Sequence, residues 1–401
     1  MTAAIDIKIE RAMPPVMPWA LIAAACLATF AASCSGTTRA PLLLEIARDL
    51  DVSMPLVANL VSLTSVAWGI SSAMGGWMSD RFGRRILLIV GPLALGVLMA
   101  LQARAGGFVE LAAFATVGGA AAGSFMGVLY AEISAHVPDR QRGRALGWVM
   151  SGQSLTLLLG VPLAAAVGSV IGWRGWFLCV AGISLAASLA LIATVPKSAA
   201  RVAGARSNSS LKGALSSRVW GLLGAGVVER VCYGLAAVYY ATFLQVTYHL
   251  TLVQLAIPLL VFAVGNVVGT ILGGQLADRL YDRLLTFALA MAASGFSALA
   301  LFVWHPGLVV SIVLGFIYVF LNAVGRPSLM ASYASVPDKA RNTVMGLTGT
   351  AASVGWMGAA GLGGVMISLG GFDGFGPLGL VLGLICSAMG LWCRKRNTIP
   401  G

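Results

Sequence analysis

Arg39, Glu229, Arg230 and Arg326 stand inside otherwise apolar runs of the chain. An ionised side chain in hydrocarbon costs roughly 2.5–3.5 kcal/mol even on lenient insertion scales, so residues of this kind face a partner or a wet cavity. Three bases against one acid leave a surplus of two positive charges. A guanidinium fork binds carboxylate or phosphate through paired hydrogen bonds, which suits recognition of a small organic anion. Glu229 is the residue type for a second task. Burial and a neighbouring arginine push a carboxyl in opposite directions, and a group so balanced can carry a proton. Tyr239, Tyr240, Gln245, Asn266 and Asn322 lie in the same apolar runs and could add hydrogen bonds to a bound molecule. Each alone more often serves as polar glue between helices.

A second kind of chemistry sits in the stretch Gly75-Gly76-Trp77-Met78-Ser79-Asp80-Arg81-Phe82-Gly83-Arg84-Arg85, a charged knot between two oily runs. Gly75 and Gly76 allow close helix approach, and Gly83 permits a tight turn. Asp80 can accept hydrogen bonds from an opposing helix N-terminus and pair with an arginine. Asp80, Arg81 and Arg84 are therefore expected to form a cytoplasmic gate that favours one arrangement of the molecule. Glu132 and Arg142, further along the chain, are expected to pair near the same surface.

The elements that must position these residues follow from composition. Of the 401 residues, 58% are hydrophobic and only 10% are charged, with mean hydropathy +0.90, which places the chain in a membrane. A bilayer core about 30 Å thick takes roughly 20 helical residues to cross. Apolar runs near 19–45, 54–78, 86–104, 108–135, 143–170, 174–195, 218–246, 253–277, 284–304, 307–335, 341–369 and 374–393 supply twelve such segments. Twenty of the 26 Lys and Arg residues fall in the tails and even-numbered connections, so both termini are expected on the cytoplasmic side. The net charge of +12 is mostly this bias, and no aromatic-interleaved basic patch points to nucleic acid.

The charged knot recurs. Gly274-Gln275-Leu276-Ala277-Asp278-Arg279, with Arg283, repeats Gly76 to Arg81 and Arg85 at an offset of 198, and Val336-Pro337-Asp338 with Arg341 repeats Val137-Pro138-Asp139 with Arg142 at 199. Two motifs agreeing on one spacing mark an internal duplication. The expected architecture is all-α, twelve transmembrane helices in two pseudo-symmetric six-helix halves: a tail at 1–16, a first half at 17–196, a cytoplasmic linker at 197–217, a second half at 218–394 and a tail at 395–401. Asp278 and Arg279 are the expected second-half gate residues.

The run Gly76-x-x-x-Asp80-Arg81-x-Gly83-Arg84-Arg85 resembles the signature loop of the major facilitator superfamily. In the second copy, Tyr281 and Asp282 replace the later glycine and arginine. Gly172-Trp173-Arg174-Gly175-Trp176-Phe177 and Glu132 with Val137-Pro138 resemble the drug and sugar efflux branch of that superfamily. The resemblance implies a secondary transporter with a substrate cavity lined by helices 1, 4, 7 and 10, three of which carry the buried charges. The chain also departs from that branch. Gly119 stands where its fourth helix commonly carries an arginine, and Gly160-Val161-Pro162 interrupts its fifth-helix Gly-Pro.

No Gly-x-x-x-x-Gly-Lys-Ser/Thr loop, His-Glu-x-x-His or Cys-x-x-Cys occurs, which argues against an ATP-driven pump, a metal site and an enzyme. The expectation is a cofactor-free monomer in a bacterial inner membrane, its partners a lipid bilayer and a small-molecule substrate. A proton or other ion gradient would drive export of a drug-like or metabolite solute, with an anion among the candidates. An organic-anion importer or exchanger is the alternative, and a non-transporting membrane receptor or assembly factor is the reading from another class.

Overall fold

The computed structural model describes residues 17–137, 139–196, 216–279, 282–304, 307–334 and 338–395. Among these residues the secondary structure is helical throughout. In chain order the helices are α1 (Trp19–Thr37), α2 (Leu43–Asp49), α3 (Met54–Phe82), α4 (Arg84–Ala103), α5 (Phe108–His136), α6 (Asp139–Leu155) and α7 (Val161–Thr194). They continue as α8 (Ser217–Tyr248), α9 (Leu252–Arg279), α10 (Arg283–Val303), α11 (Leu308–Ala334), α12 (Asp338–Gly370) and α13 (Phe375–Lys395).

Among the described residues ten stretches are long and apolar enough to cross a membrane, and two of them, Arg144–Thr194 and Leu347–Lys395, have 51 and 49 residues. Each of these two doubles back. Gly152 packs on Phe30 of α1 and Gly168 on Leu42 beyond it, so the chain first runs alongside α1 in the same direction. Past Gly172, where the backbone turns at φ 70° and ψ 172°, the Ser184 hydroxyl donates to the Pro92 carbonyl and Ser188 to Ile89, so the chain now descends along α4. The second long stretch reverses likewise at the 3-10 turn Gly371–Gly374: Gly355 and Gly363 of α12 follow Arg230 and Tyr239 of α8, whereas Gly376 and Gly390 of α13 meet Val303 and Phe287 of α10 in reverse order. Ten apolar stretches, two of them folded back on themselves, thus build the bundle among the described residues. One face carries the Gly83 turn and most described arginines, and the other carries Asp49 and Arg174.

The first segment departs from the expected continuous helix over 19–45. Helix α1 ends at Thr37, and Arg39 caps a 3-10 turn over Ala40–Leu42 that leads into α2. Pro41 supplies the reason, since it has no N–H for the ladder and its ring would strike the carbonyl four residues earlier. Arg39 consequently leaves the chain at a break and not from mid-helix.

Glycine contacts set how closely the helices approach. A Cβ at Gly119 would stand 2.5 Å from the Thr64 carbonyl oxygen, and one at Gly123 would strike the backbone of Trp68, so α5 lies directly on α3. In the second copy the glycines sit on the other partner: Gly269 and Gly273 of α9 lie against Phe320 and Val324 of α11. One expectation is corrected here. Gly76 has nothing within 4 Å of a would-be Cβ and makes no close crossing, whereas Gly75 does, against Ser124; Gly127 of α5 has the same open space.

Candidate functional site

A cavity of about 390 Å³ lies between the two sets of helices, and Arg39, Arg230 and Arg326 all reach its wall. Trp68 of α3, Trp356 of α12 and Tyr233 of α8 give it an apolar, aromatic body. Arg230 and Tyr233 are three residues apart and so share one face of α8. Small residues complete the lining, which leaves room for a solute of moderate size. Gly355 of α12 lets that helix lie directly on α8 beside Arg230, because a Cβ there would fall 2.8 Å from the Val227 carbonyl and onto the Arg230 side chain.

Glu229 stands behind this wall. It is 1% exposed and does not line the cavity. Its Oε1 accepts a 3.0 Å hydrogen bond from Arg326 Nε, and its Oε2 lies 3.5 Å from Arg230 Nε. The Arg326 guanidinium also stacks on the Tyr233 ring, 4.6 Å from its centroid, and donates to Asn322 Oδ1 at 3.4 Å. One carboxylate is therefore shared by two guanidinium groups, and the knot keeps a single surplus positive charge. Such an arrangement tolerates burial because the fork geometry and the aromatic face replace part of the lost hydration.

Among the described residues Arg39 has no acidic partner. It is 2% exposed, its Nη2 donates to Gln102 Oε1 at 2.8 Å, and its Nε and Nη1 have no hydrogen-bond acceptor. The Phe177 ring lies 5.9 Å from the guanidinium carbon. Gln102, at the end of α4, turns its carbonyl to Arg39 while its amide meets the Met99 sulfur at 3.5 Å.

The remaining polar candidates hold helices together. Tyr239 donates to the Ala360 carbonyl at 2.6 Å and Tyr240 to Ser311 at 3.3 Å, inside the bundle and away from the cavity wall. Gln245 donates to the Pro41 carbonyl at 3.4 Å. Asn266 is buried on α9 outside the cavity, its amide nitrogen without an acceptor, and Asn322 supports Arg326. Gln102, Tyr233, Trp68 and Trp356 belong to the site but were not singled out from sequence. Tyr233 had a legible signal in its spacing of four from Glu229, whereas Gln102 is brought to Arg39 only by folding.

At the arginine-rich face, Asp80 is exposed and has no ion pair or hydrogen bond among the described residues. Arg81 stacks over Trp77, with 5.6 Å from its guanidinium carbon to the ring centroid. Arg84 reaches Glu132 at 3.7 Å, and Arg142 Nε donates to the Ser134 carbonyl at 3.0 Å, both contacts lying within the first set of helices. Asp278 and Arg279 are exposed. Asp282, which replaces the signature arginine, caps α10 by accepting from Leu285 N at 3.0 Å and pairs with Arg394 at 2.5 Å. The repeated motif residues Val336 and Pro337, with Pro138 and Tyr281, lie outside the described residues. At the opposite half of the molecule the two sets of helices close on each other. Ser62 Oγ donates to the Met357 carbonyl at 3.1 Å, and Gly69 packs on Ser353. The gate expected around Asp80 is thus unengaged in this conformation, and the cavity is sealed on the Asp49 side.

A family model described as the Major Facilitator Superfamily matches residues 25–360. A chloramphenicol efflux pump of Mycobacterium tuberculosis is 32% identical over 152 residues, 38% of this chain and 37% of that protein. An inner membrane transport protein of Escherichia coli K12 is 28% identical over 159 residues, 40% of this chain and 41% of that protein. The chain thus spans about two fifths of the length of these curated relatives. Among solved structures, a bacterial homolog of the human lysosomal transporter Spinster, inward-facing and unoccupied, superposes with TM-score 0.75 at 16% identity over 95% of this chain and 98% of that one. The likeness in fold is therefore retained where sequence has diverged. With the family model covering most of its length, the chain belongs to the Major Facilitator Superfamily.

Proposed function

We propose that the protein is a secondary transporter working by alternating access, and that its solute is a small organic anion or an amphiphile with an acidic group. One observation carries the reading: three arginines reach the cavity wall, and the buried Glu229 compensates only one of them. Trp68, Trp356 and Tyr233 suit an apolar portion of the same solute. The efflux function named for the Mycobacterium tuberculosis relative supports export as the direction. The inner membrane relative supports a bacterial inner membrane location, with the arginine-rich face and both termini cytoplasmic. A proton or other ion gradient supplies the energy, with Glu229 as the coupling group. The two six-helix halves, 17–196 and 218–394 with the linker 197–217 between them, rock about the cavity, and Asp80, Arg81 and Arg84 engage when that face closes. A monomer suffices, since the cavity lies within one chain.

The test is solute-driven pH change in proteoliposomes holding the purified protein, comparing small carboxylates and phosphates with lipophilic cations. Proton movement with anions alone supports the reading. Movement with cations alone overturns the anionic class, and no movement with any solute favours a receptor. Uptake measured in both orientations separates exporter from importer or exchanger.

A further inference from the structure

The two halves contribute charge to the cavity at different depths. Helices α1 and α8 begin at Trp19 and Ser217, which are related by the repeat spacing of 198. The same spacing relates Ala32 to Arg230 and Arg39 to Ala237, and all four residues line the cavity. The arginine and the alanine are therefore exchanged between the halves. At 1.5 Å per residue, the seven positions from 32 to 39 place Arg39 about 10 Å deeper toward the sealed end than Arg230.

The two positions also differ in what already neutralises them. Arg230 and Arg326 share Glu229, so their knot keeps one uncompensated charge. Among the described residues Arg39 has only the neutral Gln102 as a hydrogen-bond partner, and two of its nitrogens are buried without an acceptor. An unpaired buried charge is expensive, and a fold retains one where a ligand completes it. A monoanion at Arg230 and Arg326 would leave Arg39 as it stands. A solute with an acid at each end would satisfy both.

We infer, resting on the anionic-solute reading above, that the substrate is a dianion whose two acid groups lie on the order of 10 Å apart: one carboxylate is bound by Arg39 beside Gln102 in the first half, and the other by Arg230 and Arg326 in the second. Bridging the halves at two depths gives such a solute differential affinity for the arrangement in which both ends are held, which is what a solute must have to drive a conformational change.

The experiment is isothermal titration of the full chain in nanodiscs with straight-chain dicarboxylates of graded length and with their monomethyl esters, which keep the length and lose one charge. The expected result is binding of a longer dicarboxylate at least about tenfold tighter than its ester, the scale of one charge-assisted hydrogen bond. Arg39→Gln should bring the diacid down to the level of the ester without weakening the ester, and Arg39→Lys should restore part of the difference. Should Arg39→Gln fail to fold, the ester comparison on the wild type and on Arg39→Lys still decides. Equal binding of diacid and ester, or discrimination that survives Arg39→Gln, overturns the two-point site and leaves the anionic reading intact. Binding of lipophilic cations with no binding of any acid overturns both.

Discussion

Arg326 Nε and Glu229 Oε1 stand 3.0 Å apart across the α11–α8 contact, with the carboxylate itself turned away from the cavity. Glu229 thus acts as an internal counter-ion for the residues that face the solute. In the proposed function an arriving acid would share Arg326 and Arg230 with it, and that competition would link solute binding to Glu229.

Glu229→Gln should abolish solute-driven pH change in proteoliposomes. Equilibrium binding of a carboxylate should persist or tighten, because the variant removes the competing charge. Loss of both together would place Glu229 in binding and not in coupling. Glu229→Ala, which leaves two guanidinium groups unpaired, should lower stability by about 3–5 kcal/mol, read as a fall in Tm.

Gly119 cannot accept a side chain while α5 rests on the Thr64 backbone. Gly119→Ala should reduce yield and Tm, and Gly119→Arg should prevent assembly. Gly127, about two turns further and with open space at its Cβ position, should tolerate Ala with a gain of about 0.5–1 kcal/mol from helix propensity. Equal responses at 119 and 127 would contradict the packing described.

Gly69 and Ser353 face each other across the sealed end, the Ser353 Cβ 3.0 Å from where a Cβ at 69 would lie. A Gly69→Cys, Ser353→Cys pair should cross-link on mild oxidation and arrest transport, and reduction should restore it. Undiminished transport by the cross-linked protein would show that this closure never opens.

Asp80 is exposed and, among the described residues, unpaired. Under the proposed gate, whose contacts form when the arginine-rich face closes, Asp80→Asn should leave Tm unchanged while slowing transport. Transport at the wild-type rate by a normally inserted variant would remove Asp80 from the gate.

Asp282 is held by two contacts of different worth. The pair with Arg394 is partly exposed, with side chains 31% and 45% accessible, and contributes little. The cap on Leu285 N is local to α10. Asp282→Ala should cost about 1 kcal/mol, and Asp282→Asn, which keeps the cap and drops the charge, should recover most of it in thermal unfolding.

Composition and hydropathy were enough to read an all-helical membrane chain, because each crossing must satisfy its own backbone within roughly 20 apolar residues. The buried charges were legible for the same reason, since Arg39, Glu229, Arg230 and Arg326 interrupt apolar runs. What they do to one another was not. Glu229 and Arg230 are neighbours in sequence, yet only the approach of α11 decides that Glu229 turns to Arg326 behind the wall while Arg230 faces the cavity. Gln102 reaches Arg39 across 63 positions, and no local pattern encodes that pairing. Tyr239 and Asn266 looked equally suited to the site, but helix rotation about neighbouring glycines and carbonyls buried them elsewhere. Local periodicity determines which residues enter the membrane. The crossing of helices, set by contacts distant in sequence, decides which of them meet.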